Sequence, residues 1–487
     1  MKNCYIGIDL GSTNTKAVLY DEAFQLLGIA SRPVTYVRQG GIVEFELSKY
    51  CNDLVEMLTE LLKDKDVNVK SIAFTGQAES LVVLDKLGKP MMHAISWMDE
   101  RSINECASLS QLFSEEQVHE VTGQAAVSPT WPATKILWLK NNNPEVFASA
   151  KTYMLLKDYI VYYLTGKMLA DMSIATFSLY FDIKHKCYWK EMLDAISITE
   201  ASLPPLSEPC QVAGSLLPEI ANAIGATTST KVNIGTLDHF AGMIGTGNTG
   251  SDQMTLSMGT VMALAKMLDK GQNATSDMAL HYGYLPNTYV LLPVAESGGV
   301  SLEWFRRTFM ADVNYKQLNE VWEERTDISD VIFLPYINGT CAPEFDPRAT
   351  GVFWGLRQEH DAFDAAKAVI EGVSFLLKKN CDHLKKNGID CHEILAVGGG
   401  AKSPTWCQMW ADITGLTIKI PKEQEAASLG AAMIAAIAEG AFASYKEAAE
   451  KTVSFSAVYH PVNTEKYANK YNRFCKLYEA SVAIADL

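Results

Sequence analysis

Asp9 stands two residues before Gly11-Ser12-Thr13, and that string has the makings of a phosphate loop. A tight turn lets backbone N–H groups and two hydroxyls face a phosphate, while the carboxylate can hold a metal ion or its water. The P-loop pattern itself is absent, and a plain hairpin turn capped by Asp9 uses the same residue types. A second candidate is Val232-Asn233-Ile234-Gly235-Thr236-Leu237-Asp238-His239, a strand pattern that delivers an acid and an imidazole just before a helix starting near Phe240. A carboxylate there suits general-base work, and N-cap of the helix is its competing role. Trp97-Met98-Asp99-Glu100-Arg101 offers an aromatic platform with an acid and a base, as a polyhydroxylated ligand requires. A helix start with a surface ion pair would look the same.

Two glycine strings complete the set. Gly398-Gly399-Gly400-Ala401 lies between a strand pattern and a helix pattern, so its backbone could lie flat against a base or ribose. Close packing of that helix on its sheet is the alternative. Gly245-x-Gly247-x-x-Gly250 matches the dinucleotide string in form only, because it follows a helical pattern and no strand.

The elements that must position these residues alternate. Residues 4–21 read as a β-hairpin turning at Gly11 to Thr15, and residues 254–267 read as a second one turning at Met258-Gly259-Thr260. Two hairpins with small, hydroxyl-bearing turns, one opening each half, form a weak internal repeat. The pattern also predicts a short strand at 71–74, a helix at 371–383, a strand at 393–397, and a helix opened by Ser403 as N-cap with Pro404 at its first position. The chain is therefore expected to be an α/β protein, with its domain boundary in the hinge-like composition of residues 245–253.

Length and charge narrow the function. A chain of 487 residues calls for two sizeable domains, and 48% hydrophobic content supplies their cores. The formal charge is -15, from 57 acidic and 42 basic residues, with no basic cluster to serve as a nucleic-acid or anionic-membrane footprint. An acidic protein that binds a polyphosphate must neutralise it locally with a metal, backbone N–H groups and a few placed cations. The ten cysteines include no C-x-x-C pair and read as reduced thiols. No signal-peptide pattern is present, and the apolar segment 426–443 is Ala/Gly-rich and interrupted by Glu439, as in a packed core helix. A cytoplasmic protein is expected, with neither nucleic acid nor membrane as partner.

In order and spacing these strings resemble the FGGY carbohydrate kinase family, which includes xylulokinases, glycerol kinases and ribulokinases. The matching stretches include Ile6-Gly7-Ile8-Asp9-Leu10-Gly11-Ser12-Thr13, Thr75-Gly76-Gln77, Trp97 to Arg101 and Lys157-Asp158-Tyr159. They continue with Asp171-x-Ser173-x-Ala175, Gly259-Thr260, Glu371-Gly372-Val373, Val397-Gly398-Gly399-Gly400-Ala401 and Leu429-Gly430-Ala431-Ala432. The resemblance implies two ribonuclease-H-like domains of the actin/hexokinase ATPase type, with ATP and sugar meeting in an interdomain cleft. Residues 1–247 would bind sugar and carry the first phosphate loop and the catalytic acid; residues 248–451 would bind nucleotide; residues 452–487 would form a helical tail. By position, Asp9 would hold Mg2+ through water. Gly11, Thr13 and Lys16 would touch phosphate from one side, Gly259 and Thr260 from the other, while Gly299 and Gly400 line the nucleotide. Asp238 falls on the family's catalytic base. Ala78, Glu79, Trp97, Asp99, Arg101 and His239 would bind the sugar.

The chain departs from the named members. Glycerol kinases carry Arg-Glu where Ala78-Glu79 stands, and a tyrosine at Thr130. Those smaller residues imply a larger pocket. Xylulokinases carry Met-His at the first pair and Asp-Asn where Asp238-His239 stands. Phosphorylation of a pentulose is the expected activity. A glycerol or erythritol kinase, an actin-like ATPase and a non-catalytic sugar sensor are the alternatives; a homodimer is compatible with any of them.

Overall fold

The computed structural model describes residues 1–269, 272, 275, 278–325, 329–339 and 342–485. Cys341 and the last two residues of the expected tail lie outside these; the other cysteines are free thiols. The chain is an α/β protein that divides into two compact units. The first comprises Met1–Thr249, Ala279–Val290 and Glu425–Val453, the second Gly250–Met278, Leu291–Gln424 and Ser454–Leu487.

Unit 1 is built on strands β1 (Lys2–Leu10), β2 (Asn14–Asp21), β3 (Leu26–Pro33), β4 (Val67–Gly76), β5 (Val212–Ser215) and β6 (Lys231–Asn233). They lie in the order β5-β6-β4-β1-β2-β3, with β1 antiparallel to β2 and parallel to β4, and β6 parallel to β4. A parallel centre needs cover on both faces. Cys4, Ile6, Ile8 and Leu10 face a core shared with Leu54, Met57, Leu58 and Leu61 of the helix Leu47–Leu62. Alternation sends Gly7, and with it Asp9, to the opposite face. There the helix Ala426–Ala438 presses so close that a Cβ on Gly7 would stand 1.9 Å from the Ser428 carbonyl oxygen.

By sequence, residues 425–451 fall in the nucleotide-binding half; in the structure residues 425–453 pack with unit 1. Gly245 of the helix Asp238–Thr246 and Gly430 face each other's helix backbones: added methyls would come within 1.8 Å of Ala426 O and 1.9 Å of Ala241 O. Only glycines allow two helices to approach this closely.

Unit 2 repeats the hairpin-first plan. Strands β7 (Gln253–Met258) and β8 (Met262–Met267) form the second hairpin, and β9 (Glu393–Val397), β10 (Thr417–Pro421) and β11 (Phe455–Tyr459) extend the sheet in the order β8-β7-β9-β10-β11. As with β1 and β4, β7 is antiparallel to its hairpin mate and parallel to β9. The helix foreseen at 371–383 runs Ala362–Lys386, because Asp361 and Asp364 form a capping box. The tail is more than a helix: β11 pairs antiparallel with β10 before the helix Ala468–Ala485. Lys470 of that helix pairs with Glu371 and donates to Ser329 O at 2.8 Å, while Phe474 is fully buried against Phe375. These residues are part of the second core.

The glycine contact yields a stability test on one helix. Gly245→Ala should lower the unfolding free energy by about 3 kcal/mol through overpacking. Gly242→Ala, whose Cβ meets nothing within 4 Å, should stabilise by about 0.5–1 kcal/mol. Denaturant titration of the two variants checks the contrast, and equal effects would contradict the packing argument.

Candidate active site

Unit 1 gathers carboxylates around the end of β1. Asp9 Oδ1 is buried and has no hydrogen-bond partner among the described residues. Burial, reinforced by the charges of Asp238 and Glu425 and only partly offset by Lys16, pushes the Asp9 carboxyl up to about 7. Lys16 stands across the hairpin from Asp9 and pairs with Glu425, a partner that sequence order does not suggest. In the turn between them Gly11 and Ser12 are half-buried and Thr13 is exposed. Trp97 Nε1 donates to Ser12 Oγ at 2.8 Å and the Tyr36 hydroxyl donates to Ser12 O at 2.7 Å, so the expected platform residue braces the loop.

Asp238 opens the helix Asp238–Thr246 without serving as its N-cap; that position is Leu237. His239 N donates to Asp238 Oδ1 at 2.7 Å, and Oδ2 has no hydrogen-bond partner among the described residues. Such an oxygen can accept a proton from a ligand hydroxyl. The turn that delivers Asp238 is pinned from three sides. Lys157 Nζ donates to Ile234 O at 2.6 Å and lies 3.0 Å from Asp171 Oδ2 and 3.4 Å from Asp158 Oδ1. The Ser173 hydroxyl joins Asp171 to the Thr236 hydroxyl at 2.8 Å, and Thr75 Oγ1 donates to Thr236 O at 2.9 Å. Gly235 has φ +70°, and a Cβ there would stand 1.5 Å from Phe74 O. Burial works against charge on Lys157, but Asp171 and Asp158 hold its ammonium above the ordinary range.

A second buried cation lies under the sugar candidates. Lys135 Nζ donates to Ser96 O and Thr130 O, both at 2.8 Å. Burial drives the Lys135 ammonium down and the Glu79 carboxyl up; the attraction between the two only partly restores them, and Asp238 raises Glu79 further. Glu79 sits at φ +61°, an uncommon backbone for a non-glycine residue, which a site can hold only if its surroundings dictate it. Ala78 is buried, while Thr130, Trp97 and His239 are half-buried.

Asp99 and Arg101, the acid and base of the expected platform, are paired with each other. The Asp99 carboxylate accepts from Val43 N at 2.6 Å and from Arg101 Nε at 2.7 Å. Arg101 also pairs with Glu44 at 2.7 Å and covers the Trp138 ring at 4.9 Å. Their polar groups are spent on the scaffold because the pair is buried and must satisfy itself. Lys135 and Glu425 are not among the sequence candidates, and Lys157, matched only as part of Lys157-Asp158-Tyr159, carries a readable signal: a buried charge inside an apolar helix demands a partner.

In unit 2 three loops meet. The hairpin turn exposes Gly259 and Thr260, and a Cβ on Gly259 would meet nothing within 4 Å. Gly299 opens the helix Gly299–Phe309 and donates its N–H to Gly259 O at 2.8 Å; Val300 N donates to Thr260 O at 3.1 Å. Gly398, at φ +95°, and Gly400 pack on Met258, within the radius where a side chain would collide. Glycine backbone at a helix N-terminus can accommodate phosphate or a flat ring. Ser403 caps the helix Pro404–Thr414 as the sequence predicts.

The Lys157 cluster supports a direct test. Lys157→Met leaves two buried carboxyls without their cation and should cost roughly 3–5 kcal/mol of stability. Urea denaturation measures it, and a loss below about 1 kcal/mol would show that the cluster does not hold the turn.

Comparison with known proteins gives these geometries a family. The models for the N-terminal and C-terminal domains of the FGGY family of carbohydrate kinases match residues 4–245 and 267–439. The xylulose kinase of Lactococcus lactis subsp. lactis is 30% identical over 99% of this chain and 97% of its own length. Among solved structures, a ligand-bound xylulose kinase of Lactobacillus acidophilus superposes with TM-score 0.92 at 28% identity, covering 99% of each chain. A gluconate kinase of the same organism superposes equally, at TM-score 0.92 and 29% identity over 100% of this chain and 99% of its own. With both family models matched and relatives of nearly equal length, the chain belongs to the FGGY family of carbohydrate kinases and is an ATP-dependent sugar-phosphorylating enzyme.

Proposed function

We propose that the protein phosphorylates a pentulose, with Asp238 as the base that takes the proton of the attacking hydroxyl. The observation that carries this is the Asp238 carboxylate, one oxygen held by its own helix and the other open, on a turn pinned by Lys157, Ser173 and Thr75. The substrate O–H passes its proton to that oxygen as its oxygen bonds to the γ-phosphorus of ATP. The bond from γ-phosphorus to the β–γ bridging oxygen breaks, and ADP leaves. Gly11, Thr13 and Lys16 are the phosphate contacts on unit 1. Lys16 reaches a phosphate by exchanging its half-exposed pair with Glu425, a cheap exchange at that exposure. Gly259, Thr260, Gly299 and Gly400 are the nucleotide contacts on unit 2.

Mg2+ fits Asp9. Its orphaned buried oxygen is a ready cation ligand, and no cluster of three or more His, Cys, Asp or Glu placed for a metal exists among the described residues. Mg2+ is ordinarily held this way, through one or two carboxylates with the remaining positions filled by water and phosphate. When bound it would neutralise β- and γ-phosphate charge.

A neutral polyol is favoured over an aldonate such as gluconate, because the cations beside the site are engaged. Lys135 is bound to carbonyls and Arg101 to Asp99 and Glu44, while Lys16 is the cation assigned to phosphate. Ala78 and Thr130 leave room for a chain longer than glycerol, with Glu79 and His239 as partners for its hydroxyls. The names of the relatives point to xylulose kinases in the same direction.

Asp238→Asn should lower kcat by at least about 10²-fold while ATP binding persists. Across D-xylulose, D-ribulose, L-ribulose, glycerol, erythritol and gluconate, wild-type kcat/KM should be highest for a pentulose, and Thr130→Tyr should depress the pentulose value selectively. ADP-release assays decide. A best rate with glycerol or gluconate, or near-normal turnover of Asp238→Asn, would refute the proposal.

A further inference from the structure

Two aromatic side chains hold the first phosphate loop of unit 1, and the mechanism gives one of them, Tyr36, no task. The Tyr36 hydroxyl donates to Ser12 O at 2.7 Å, and Val34 N donates to Thr13 O at 2.9 Å. Each carbonyl so held fixes the N–H at the other end of its planar trans peptide. The Thr13 N–H therefore points away from the Tyr36 hydroxyl, and it has no hydrogen-bond partner among the described residues. A free N–H in a bent loop is a donor suited to an anion.

Trp97 fixes the side chain of the same serine. Its Nε1–H donates to Ser12 Oγ at 2.8 Å, which uses one lone pair of the hydroxyl and leaves the hydroxyl hydrogen to donate. The indole is itself anchored. Trp97 N donates to Ser80 Oγ at 3.1 Å, Ser80 Oγ donates to Gln77 Oε1 at 2.7 Å, and Gln77 N donates to Leu10 O at 3.2 Å. The chain of bonds that leaves Ser12 thus returns to β1, the strand from which the loop springs. The Tyr36 ring is seated against Phe45, which it meets edge-on at 5.7 Å. The loop adjoins Asp9: a Cβ on Gly11 would stand 3.9 Å from each Asp9 carboxylate oxygen.

We propose that Tyr36 and Trp97 are positioning residues for phosphoryl transfer, which act through Ser12 to hold its hydroxyl and the Thr13 N–H toward a phosphoryl oxygen beside Asp9. The inference rests on the assignment of this loop to phosphate in the reading above. Neither aromatic residue has to touch the phosphate for this. A donor fixed before the nucleotide arrives is not reorganised during the reaction, and its effect on the rate comes from that preorganisation.

The test measures kcat and KM for MgATP and for the sugar of highest kcat/KM in the panel above. The proteins are wild type, Tyr36→Phe, Trp97→Phe, Ser12→Ala and the Trp97→Phe/Ser12→Ala double variant, with thermal melts to verify folding. Tyr36→Phe keeps the ring on Phe45 and loses the hydroxyl. Its kcat/KM for MgATP should fall about three- to tenfold while KM for the sugar stays within about twofold of wild type. The calorimetric Kd for the non-hydrolysable β,γ-imido analogue of ATP with Mg2+ should rise by a similar factor. Ser12→Ala should lower kcat about tenfold and Trp97→Phe about three- to tenfold. In the double variant Trp97→Phe should add less than about a twofold further loss in kcat, because the oxygen it acted on is gone. A Trp97→Phe loss that multiplies in full with that of Ser12→Ala overturns this inference alone. So does a Tyr36→Phe enzyme with wild-type MgATP kinetics and analogue affinity, or one in which sugar and MgATP are affected alike. A Ser12→Ala enzyme indistinguishable from wild type overturns the assignment of the loop to phosphate and this inference with it.

Discussion

Carboxylates removed from water and placed near one another repel, and each can stay ionised only if a cation answers it. Unit 1 sets Asp238 within electrostatic reach of both Asp9 and Glu79, while the lysines near them already have partners. A divalent cation held at Asp9 would answer that repulsion, as the proposed function requires.

Holding such a cluster together requires a scaffold that does not give way. Lys157 and its two aspartates are fully buried, an arrangement that contributes little net stability but is costly to break. Its effect is geometric: the ammonium grips the carbonyl of Ile234 four residues before Asp238. The glycine-lined approach of the helix Ala426–Ala438 to β1 and to the Asp238–Thr246 helix backs the same corner from below. Lys135 plays a comparable part, giving its ammonium to the backbone carbonyls of Ser96 and Thr130.

The local features were legible because local sequence determines them. Both hairpins, the Ser403 cap and the strand at 393–397 are written in contiguous residues, and the structure has them. Non-local relations were not legible. No composition shift reports that residues 425–453 pack with the first unit, since that depends on which glycines meet. Asp99 and Arg101 have the types a sugar platform uses, but only the fold reveals that Glu44 and Val43 take their polar atoms first. Gln124 and His281 hydrogen-bond across 157 residues of chain, beyond any pattern in the sequence. The helix at 362–386 starts earlier than its apolar pattern, at a point that Asp361 and Asp364 mark in the sequence.

The central claim is that Asp9 and Asp238 form an uncompensated acidic pair before the nucleotide binds. Carbon-13 NMR of the ligand-free protein with carboxyl-labelled aspartate, with Asp9→Asn for assignment, measures it directly. The account predicts an Asp9 carboxyl that titrates near pH 7 and moves toward the ordinary aspartate range in Asp238→Asn and on addition of Mg2+ with nucleotide. An Asp9 that titrates near 4 in the free protein and ignores both changes would contradict it.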